Sequence, residues 1–284
     1  MVYRVCECRN ENGEQVITIL DDIVTEAEFD EYYRYIRELN FFNRIDFFME
    51  MIRYNGRTLE LHIKNASVTS KESGTTVIKL ANKYVFDFAA AIGSFIEYIE
   101  KRLMTKQSDQ VRKEFDEFRK NMFADDIYKF WYYLRNYVIH YDIPFTQLSS
   151  KIVGAEIKTE IICKRDHLLE YKEWKHAKAY VESLPENIDI CSMTEPILVK
   201  LHAYYLSLLF IFRDTIVEAH RYVEQFVLRH QARTGMAIMA YETEEDFVAN
   251  RNGRIHFLHI SRVSKLLHDL SMHPNVNVTF TTLE

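Results

Sequence analysis

The stretch DIYKFWYYLRNYVIHYDIP, residues 126–144, decides the fold class of this chain. Its aromatic and aliphatic side chains recur at helical spacing, so the sequence predicts a helix from about residue 125 to about residue 141. Pro144 ends this helix, because the residue before a proline is pushed out of helical geometry. The last turns of the helix carry three polar residues after the aromatic run: Arg135, Asn136 and His140.

The composition favours long helices throughout the chain. The 284 residues are 48% hydrophobic and 14% aromatic, which is enough for a well-buried core. With only 7 glycines and 4 prolines, turn and breaker residues are too few for a many-stranded β architecture. We therefore expect a mainly α protein with short added β-hairpins or strands near the N-terminus, in the middle and at the C-terminus.

Helical patterns occupy most of the centre of the chain. A broad apolar face predicts a long helix over residues 78–105. A shorter amphipathic pattern predicts a helix over residues 108–121, with Ser108 as its N-cap. The longest continuous helical pattern covers residues 195–232 and ends near Gly235.

Strand patterns flank and interrupt these helices. The segments YRVCECR and QVITIL predict an N-terminal hairpin, because the Asn12–Gly13 dipeptide between them tolerates positive φ. Alternating residues predict a β insertion near residues 150–165. LELHIK, residues 59–64, either forms a strand or closes a helix.

A boundary is expected between residues 54 and 76, where two glycines and a Ser/Thr cluster occur. We therefore predict three regions. They are an N-terminal hairpin with helices (residues 1–76), a central helical domain (77–234) and a C-terminal αβ extension (235–284).

Charge and hydropathy limit the partners. With 36 basic and 42 acidic residues the net charge is −6, so any contact with nucleic acid requires a local patch. The segment MVYRVCECRNENGEQ lacks the apolar core of a signal peptide. The most apolar run, Ile197–Phe212, is too short to cross a bilayer. We expect a cytoplasmic protein that has no membrane partner.

The cysteine and histidine spacings do not favour a metal site. Cys6 and Cys8 have no second Cys or His pair at matching spacing, so we interpret them as ordinary strand residues. His220 and Glu224 share a helix face, but matching ligand pairs on other helices are missing, and a surface salt bridge is the simpler interpretation. We therefore predict neither a metal nor a cofactor.

The polar residues near the end of the 125–141 helix suit phosphodiester chemistry. Asn136 and His140 are four residues apart and share one helix face, and Arg135 can lean its guanidinium across the same end. The imidazole can transfer a proton near neutral pH, and the guanidinium can stabilise charge on a phosphate. RNA supplies its own nucleophile, the 2′-hydroxyl, so no metal is required. The predicted substrate contacts are Lys129, Tyr133 and Tyr141.

A structural interpretation of the same residues stays open. Arg135 would then pair with a neighbouring carboxylate. His140 would interact only with the free carbonyls and the dipole at the helix C-terminus.

The hexapeptide RNYVIH, Arg135–His140, resembles the R-x(4-6)-H motif of the HEPN superfamily, in which a polar residue, often Asn, follows the arginine. The helix order is also similar: a long helix, a shorter one, and then a motif helix that ends in HYDIP. The resemblance covers at most residues 78–232 and implies a HEPN-like helical bundle at the centre of the chain.

The resemblance implies a metal-independent endoribonuclease, of a kind that often serves as a toxin or as an antiphage, abortive-infection effector. It implies a homodimer in which two motif helices form a composite cleft, with RNA such as tRNA or mRNA as substrate and an antitoxin or regulatory protein as a further partner. Arg135 would stabilise the phosphate, His140 would act as general acid and base, and Asn136 would orient groups or bind the RNA.

One departure and one alternative class accompany this resemblance. Some toxin members carry a modified tyrosine two residues after the histidine, where this chain has Asp142, with Tyr141 one residue earlier. The alternative is a non-catalytic HEPN-like helical module for dimerisation, RNA binding or sensing, which carries the same motif.

Overall fold

The computed structural model describes residues 1–66, 73–153 and 156–277. The seven strands are β1 (Val2–Glu11), β2 (Glu14–Val24), β3 (Phe145–Val153), β4 (Glu156–Lys164), β5 (Asn187–Ile188), β6 (Met236–Tyr241) and β7 (Arg254–Phe257), all within these residues. The first six helices are α1 (Glu26–Glu38), α2 (Phe41–Lys64), α3 (Gly74–Glu97), α4 (Asp109–Ala124), α5 (Asp126–His140) and α6 (Arg165–Leu169). The others are α7 (Lys178–Ser183), α8 (Thr194–Ile211), α9 (Arg213–Arg229), α10 (Glu244–Val248) and α11 (Ile260–Ser271). A π-helical turn (Tyr98–Leu103) follows α3, and short 3₁₀ turns cover Met104–Lys106, Lys172–Ala177 and Cys191–Met193.

The protein is mainly helical with short antiparallel strands, as the composition predicts. It divides into two compact units. One contains Met1–Phe42 and Leu206–Glu284, and the other is Asn43–Tyr205.

The first unit is built on a four-stranded antiparallel sheet in the order β2-β1-β6-β7. The predicted hairpin is confirmed, and its turn uses positive φ at Asn12 (55°) and Gly13 (89°). On its other edge β1 pairs with β6, with Val5 opposite Ile238. Helix α1 contacts β1, and α9 contacts both α1 and α11.

The second unit is a helical body with a small sheet in the order β3-β4-β5. Helix α2 lies close to α3 and α8 at Gly56. A Cβ atom added to this glycine would lie 3.0 Å from Phe88 of α3 and 3.1 Å from Thr194 of α8. Helix α5 packs on α3, where the rings of Phe88 and Trp131 meet edge to face at 4.7 Å. The candidate motif therefore lies on a helix that neighbouring elements hold in place.

Local signals in the sequence predicted several element boundaries. Ser108 caps α4 by accepting a hydrogen bond from the Val111 backbone N–H at 3.4 Å. Helix α5 ends at His140, four residues before Pro144. LELHIK closes α2 and is not a strand. The β insertion occurs as β3 and β4, although residues 154–155 between them lie outside the described residues.

The predicted continuous helix over residues 195–232 is wrong. It consists of α8 and α9, which are separated at Phe212 (φ −99°, ψ 15°). No glycine or proline marks the break. The Phe212 ring instead packs 4.8 Å from the ring of Phe41 and 5.9 Å from that of Phe42, so tertiary packing overrides the local pattern.

The compact units also divide the chain differently from the predicted domains. Residues 206–234 belong with the N-terminal unit, because α9 contacts α1. The N-terminal hairpin and the C-terminal extension, predicted as separate regions, share one sheet through the pairing of β1 with β6. Residues 278–284 of the predicted extension lie outside the described residues.

Within the described residues, no single helix is both long and apolar enough to cross a membrane; only Cys191–Ile211 and Arg213–Arg229, taken together across a bend of 70°, meet both criteria.

Asn82 of α3 fixes the chain just after the motif helix. Its buried side chain donates from Nδ2 to the Phe145 carbonyl (2.7 Å), and its Oδ1 accepts from the Phe145 N–H (2.9 Å). Both backbone groups of the first β3 residue are satisfied by one amide. Tyr137 and His167 bind the Ile143 carbonyl at 3.3 Å and 3.1 Å, so the segment after α5 is held on several sides.

We expect Asn82→Ala to destabilise the second unit by about 2–4 kcal/mol, because it leaves the buried backbone groups of Phe145 unpaired. Urea unfolding followed by tryptophan fluorescence measures this, since both tryptophans, Trp131 and Trp174, lie in that unit. Asn55→Ala is the matched control. It removes one half-buried hydrogen bond from Asn55 Nδ2 to the Asp87 carbonyl (3.1 Å) and should lower the free energy of unfolding by about 1 kcal/mol. Equal decreases in the free energy of unfolding for the two variants would contradict the role given to Asn82.

Candidate functional site

Helix α5 carries the candidate residues and begins with a charged cap. Asp125 accepts a hydrogen bond from the Tyr128 N–H (3.0 Å) and pairs with Lys200 of α8 (2.8 Å). Burial disfavours the Asp125 carboxylate, but these contacts outweigh it and hold its pKa below the usual value. The helix start is therefore fixed independently of the motif.

Arg135 is part of the contact between α5 and α3. Its Nη2 lies 3.2 Å from Oε1 of Glu97, and 26% of its side chain is exposed. The side chain lies across Gly93, where an added Cβ would be 2.5 Å from Nε and 2.6 Å from Cδ. Nε itself is buried without a hydrogen-bond partner among the described residues. Glycine at position 93 therefore makes the space that Arg135 occupies.

His140 and Asn136 are placed differently from Arg135. His140 is the last residue of α5 and is exposed. The side chains of His140 and Asn136 form no hydrogen bond or ion pair with any residue in the described parts of the chain. His140 is thus available to a ligand.

The structure does not bring Arg135 and His140 to one contact within the chain. Five residues of α-helix separate their directions by about 140°. Arg135 turns toward Glu97 of α3 instead of leaning across the end of α5, as the sequence had predicted. In one copy of the chain the motif is therefore split between a paired arginine and a free histidine.

The predicted substrate contacts fall into two places. Lys129 pairs with Asp126 at 2.7 Å and is mostly buried. Tyr133 is also buried, but it borders a groove of about 550 Å³ beside α4. The groove is further lined by Asp116, Arg119, Lys120, Phe123 and His176. Sequence analysis missed these residues because the charges of α4 look like an ordinary solvated face and His176 is distant in sequence.

Tyr141 is one of three exposed apolar residues next to His140 in the sequence at the end of α5. Its ring lies 5.6 Å from that of Tyr137 and 5.3 Å from that of Tyr171, yet the side chain is largely exposed. Ile139 and Ile143 are exposed on either side. Exposed apolar side chains that form one surface patch are typical of sites that contact other molecules, which makes these three residues a candidate contact surface. We define Ile139, Tyr141 and Ile143 as the α5-end patch.

Asp142 and His167 lie beside this patch. His167 Nε2 is 3.5 Å from Asp142 Oδ2 as well as binding the Ile143 carbonyl. His167 is a second histidine near the motif, and sequence analysis missed it because it lies on α6, beyond the β3–β4 hairpin.

A second group of titratable side chains lies in the first unit, where buried His230 is 3.1 Å from Asp22 and 3.6 Å from Glu28. Within the described ranges, no three or more His, Cys, Asp and Glu side chains are placed to hold a metal ion. Cys6 and Cys8 are free thiols on β1, and burial raises the pKa of Cys6 to about 12.

The chain matches no protein-family model, and the comparisons found no similar curated protein and no similar solved structure. The likeness to the HEPN superfamily therefore rests on Arg135–His140 and on the helix order alone.

A double-mutant cycle tests the contact of Arg135 with Gly93. The quantity compared is the change in the free energy of unfolding caused by Gly93→Ala. We expect this change to be about 1–2 kcal/mol more destabilising in the wild type than in the Arg135→Ala variant, because only in the wild type must the new methyl group displace the guanidinium. Without Arg135, the higher helix propensity of alanine should stabilise α3 by up to about 1 kcal/mol. Urea unfolding measures the four free energies. Lys113→Ala, an exposed cation on α4, is the control and should be additive with Gly93→Ala; additivity for Arg135→Ala as well would refute the contact.

Proposed function

We propose that this protein is a HEPN-type endoribonuclease that cleaves RNA without a metal, at a site formed by two copies of the end of α5. The observation that carries the proposal is the position of His140. It is exposed, its side chain forms no hydrogen bond or ion pair in the described parts of the chain, and the exposed residues of the α5-end patch lie beside it in sequence. An unpaired imidazole on an apolar surface suits proton transfer at an interface.

The reaction requires two proton transfers. His140 of one copy accepts the proton of the RNA 2′-hydroxyl, and the freed oxygen attacks the adjacent phosphorus. The bond to the 5′ oxygen breaks, and His140 of the other copy donates a proton to that oxygen. The products are a 2′,3′-cyclic phosphate and a 5′-hydroxyl end. Asn136, one turn before His140, orients the reacting groups.

Arg135 has to exchange partners in this proposal. Its guanidinium rests on Glu97 at 3.2 Å and is partly exposed, so a phosphate can compete for it. An isolated, partly exposed ion pair is worth about 0–1 kcal/mol, less than the charge-assisted hydrogen bonds that a phosphate offers. The resting pair with Glu97 therefore keeps Arg135 in place without locking it.

The groove beside Tyr133 supports RNA as the substrate. Lys120 and His176 line it without ion-pair partners in the described ranges, next to the ring of Phe123. Cations beside aromatic rings match the phosphates and bases of single-stranded RNA. In a chain of net charge −6 this is the kind of local patch that RNA binding requires. The RNA would be a tRNA or mRNA, and the cellular role that of a toxin or antiphage effector that an antitoxin or regulatory protein restrains.

A non-catalytic interaction module is the second candidate. The packing of Arg135 against Gly93 and its pairing with Glu97 favour it, because they give the arginine a structural role. In that case the α5-end patch serves dimerisation or sensing.

Cleavage of labelled total RNA in EDTA tests the proposal. We expect the wild type to release fragments that end in 2′,3′-cyclic phosphate, and His140→Ala to cleave at least about 100-fold more slowly, because general acid–base catalysis is lost. His140 is exposed, so the melting temperature should not change. The matched control is His268→Ala, an exposed histidine in the last turn of α11, which should cleave like the wild type. No cleavage by folded, dimeric wild type would favour the interaction module.

Glu97→Gln separates the two roles of Arg135. If Arg135 binds the phosphate, releasing it from Glu97 should raise the cleavage rate by about two- to fivefold. This factor corresponds to the free energy of a partly exposed ion pair, which no longer has to be broken. Lys101→Ala is the control, because Lys101 also contacts Glu97 (3.3 Å) but its loss leaves Arg135 paired. A lower urea midpoint for Glu97→Gln, with no gain in cleavage, would assign Arg135 to structure alone.

A further inference from the structure

Helix α2 presents an apolar stripe that is exposed among the residues that the structure describes. Phe47, Tyr54 and Leu61 follow one another at intervals of seven residues, and their side chains are 58%, 71% and 61% exposed. Side chains at this spacing lie along one line of a helix. Their neighbours Phe48, Ile52 and Leu59 turn inward, so α2 is apolar on two faces and only one of them contacts the body of its unit.

Two unpaired charges interrupt the stripe. Glu50 lies between Phe47 and Tyr54, and Arg57 lies between Tyr54 and Leu61. Both are exposed, and neither forms an ion pair with a residue in the described ranges. Together with the three apolar residues they form the α2 stripe, which comprises Phe47, Glu50, Tyr54, Arg57 and Leu61.

The α2 stripe is complementary to itself when reversed. Leu61 lies seven residues after Tyr54 and Phe47 seven before it, so in an antiparallel pair centred on Tyr54 each leucine faces the phenylalanine of the other copy. Glu50 then faces Arg57 of the other copy, within one residue. A parallel pair would instead place Glu50 beside Glu50 and Arg57 beside Arg57, and like charges repel. The charges thus select the antiparallel arrangement.

The ends of α2 do not oppose this pairing. Arg44 is held over the ring of Tyr98 at 5.9 Å, and Lys64 pairs with Glu60 at 3.7 Å. Their charges have partners within the chain, while Glu50 and Arg57 have no ion-pair partner among the residues that the structure describes.

We propose that two copies of this protein associate through α2, as an antiparallel helix pair with twofold symmetry about Tyr54. The occupant of the stripe is a second copy, because the spacing and the charge order match the same sequence reversed. Such a contact is isologous, so every interaction occurs twice. The inference is independent of the ribonuclease proposal, since none of its residues lies on α5.

Charge reversal tests the pairing in the full chain by sedimentation velocity over a range of concentrations. We expect Glu50→Arg and Arg57→Glu each to weaken association through α2 at least about tenfold, because symmetry creates two like-charge contacts. The double variant Glu50→Arg/Arg57→Glu should restore wild-type association within about threefold, since it exchanges the charges without removing any. Failure of the double variant to recover would overturn the proposal, as would wild type that remains monomeric.

A second set of variants separates α2 from the α5-end patch. Leu61→Glu should abolish association through α2, and the matched control Leu228→Glu, a leucine 63% exposed on α9, should not. In an Ile143→Glu background, which disrupts the α5-end patch, Tyr54→Cys should still form a disulfide-linked dimer on mild oxidation, and Leu228→Cys should not. Equal cross-linking at both positions, or loss of all association with Ile143→Glu alone, would refute the α2 contact.

Discussion

Burial of the aromatic face of α5 is the constraint on which the candidate site depends. Trp131 meets Phe88 of α3 at 4.7 Å, and Trp174 stacks on Phe130 at 5.9 Å and on Tyr137 at 6.0 Å. Each such ring buries roughly 150–250 Å². Turning α5 by one residue, about 100°, would expose these rings and lose several kcal/mol, on the order of that burial's contribution to the free energy of unfolding. The helix has one rotational setting. That setting directs Arg135 to α3 and leaves His140 at the exposed end.

The parts of this arrangement that could be predicted from sequence are those with local causes. Ser108 caps α4 by its own hydroxyl, Asn12–Gly13 turns the first hairpin by its own φ angles, and Pro144 limits α5 by its ring. Each of these signals lies within a few residues of its effect. The existence of α5 followed from the helical spacing of its own aromatic and aliphatic residues, and the position of the motif near its end followed from Pro144.

The parts that sequence could not supply have non-local causes. The pairing of β1 with β6 joins strands more than 200 residues apart, and the residue pattern of each strand does not predict which other strand it pairs with. The helix break at Phe212 depends on the packing of the Phe212 ring against Phe41 and Phe42. No glycine or proline in the sequence predicts this break. Arg135 likewise turns toward Glu97 because Gly93 leaves room on another helix. Helical spacing alone put Arg135 and His140 near each other, but it could not show which neighbour the arginine would meet.

The two proposed contacts of the second unit constrain each other by symmetry. The α5-end patch and the α2 stripe use different helices, and each contact is isologous, so one chain would have two separate twofold axes. If those axes are perpendicular and intersect, the assembly closes as a tetramer with two composite α5 sites. Axes that do not intersect generate an open chain of alternating contacts instead. The α2 stripe has only three exposed apolar residues and one reciprocal charge pair, so its strength depends on both charges being matched. Association through α2 would thus respond to ionic strength more than association through the α5-end patch, whose surface residues are two isoleucines and a tyrosine.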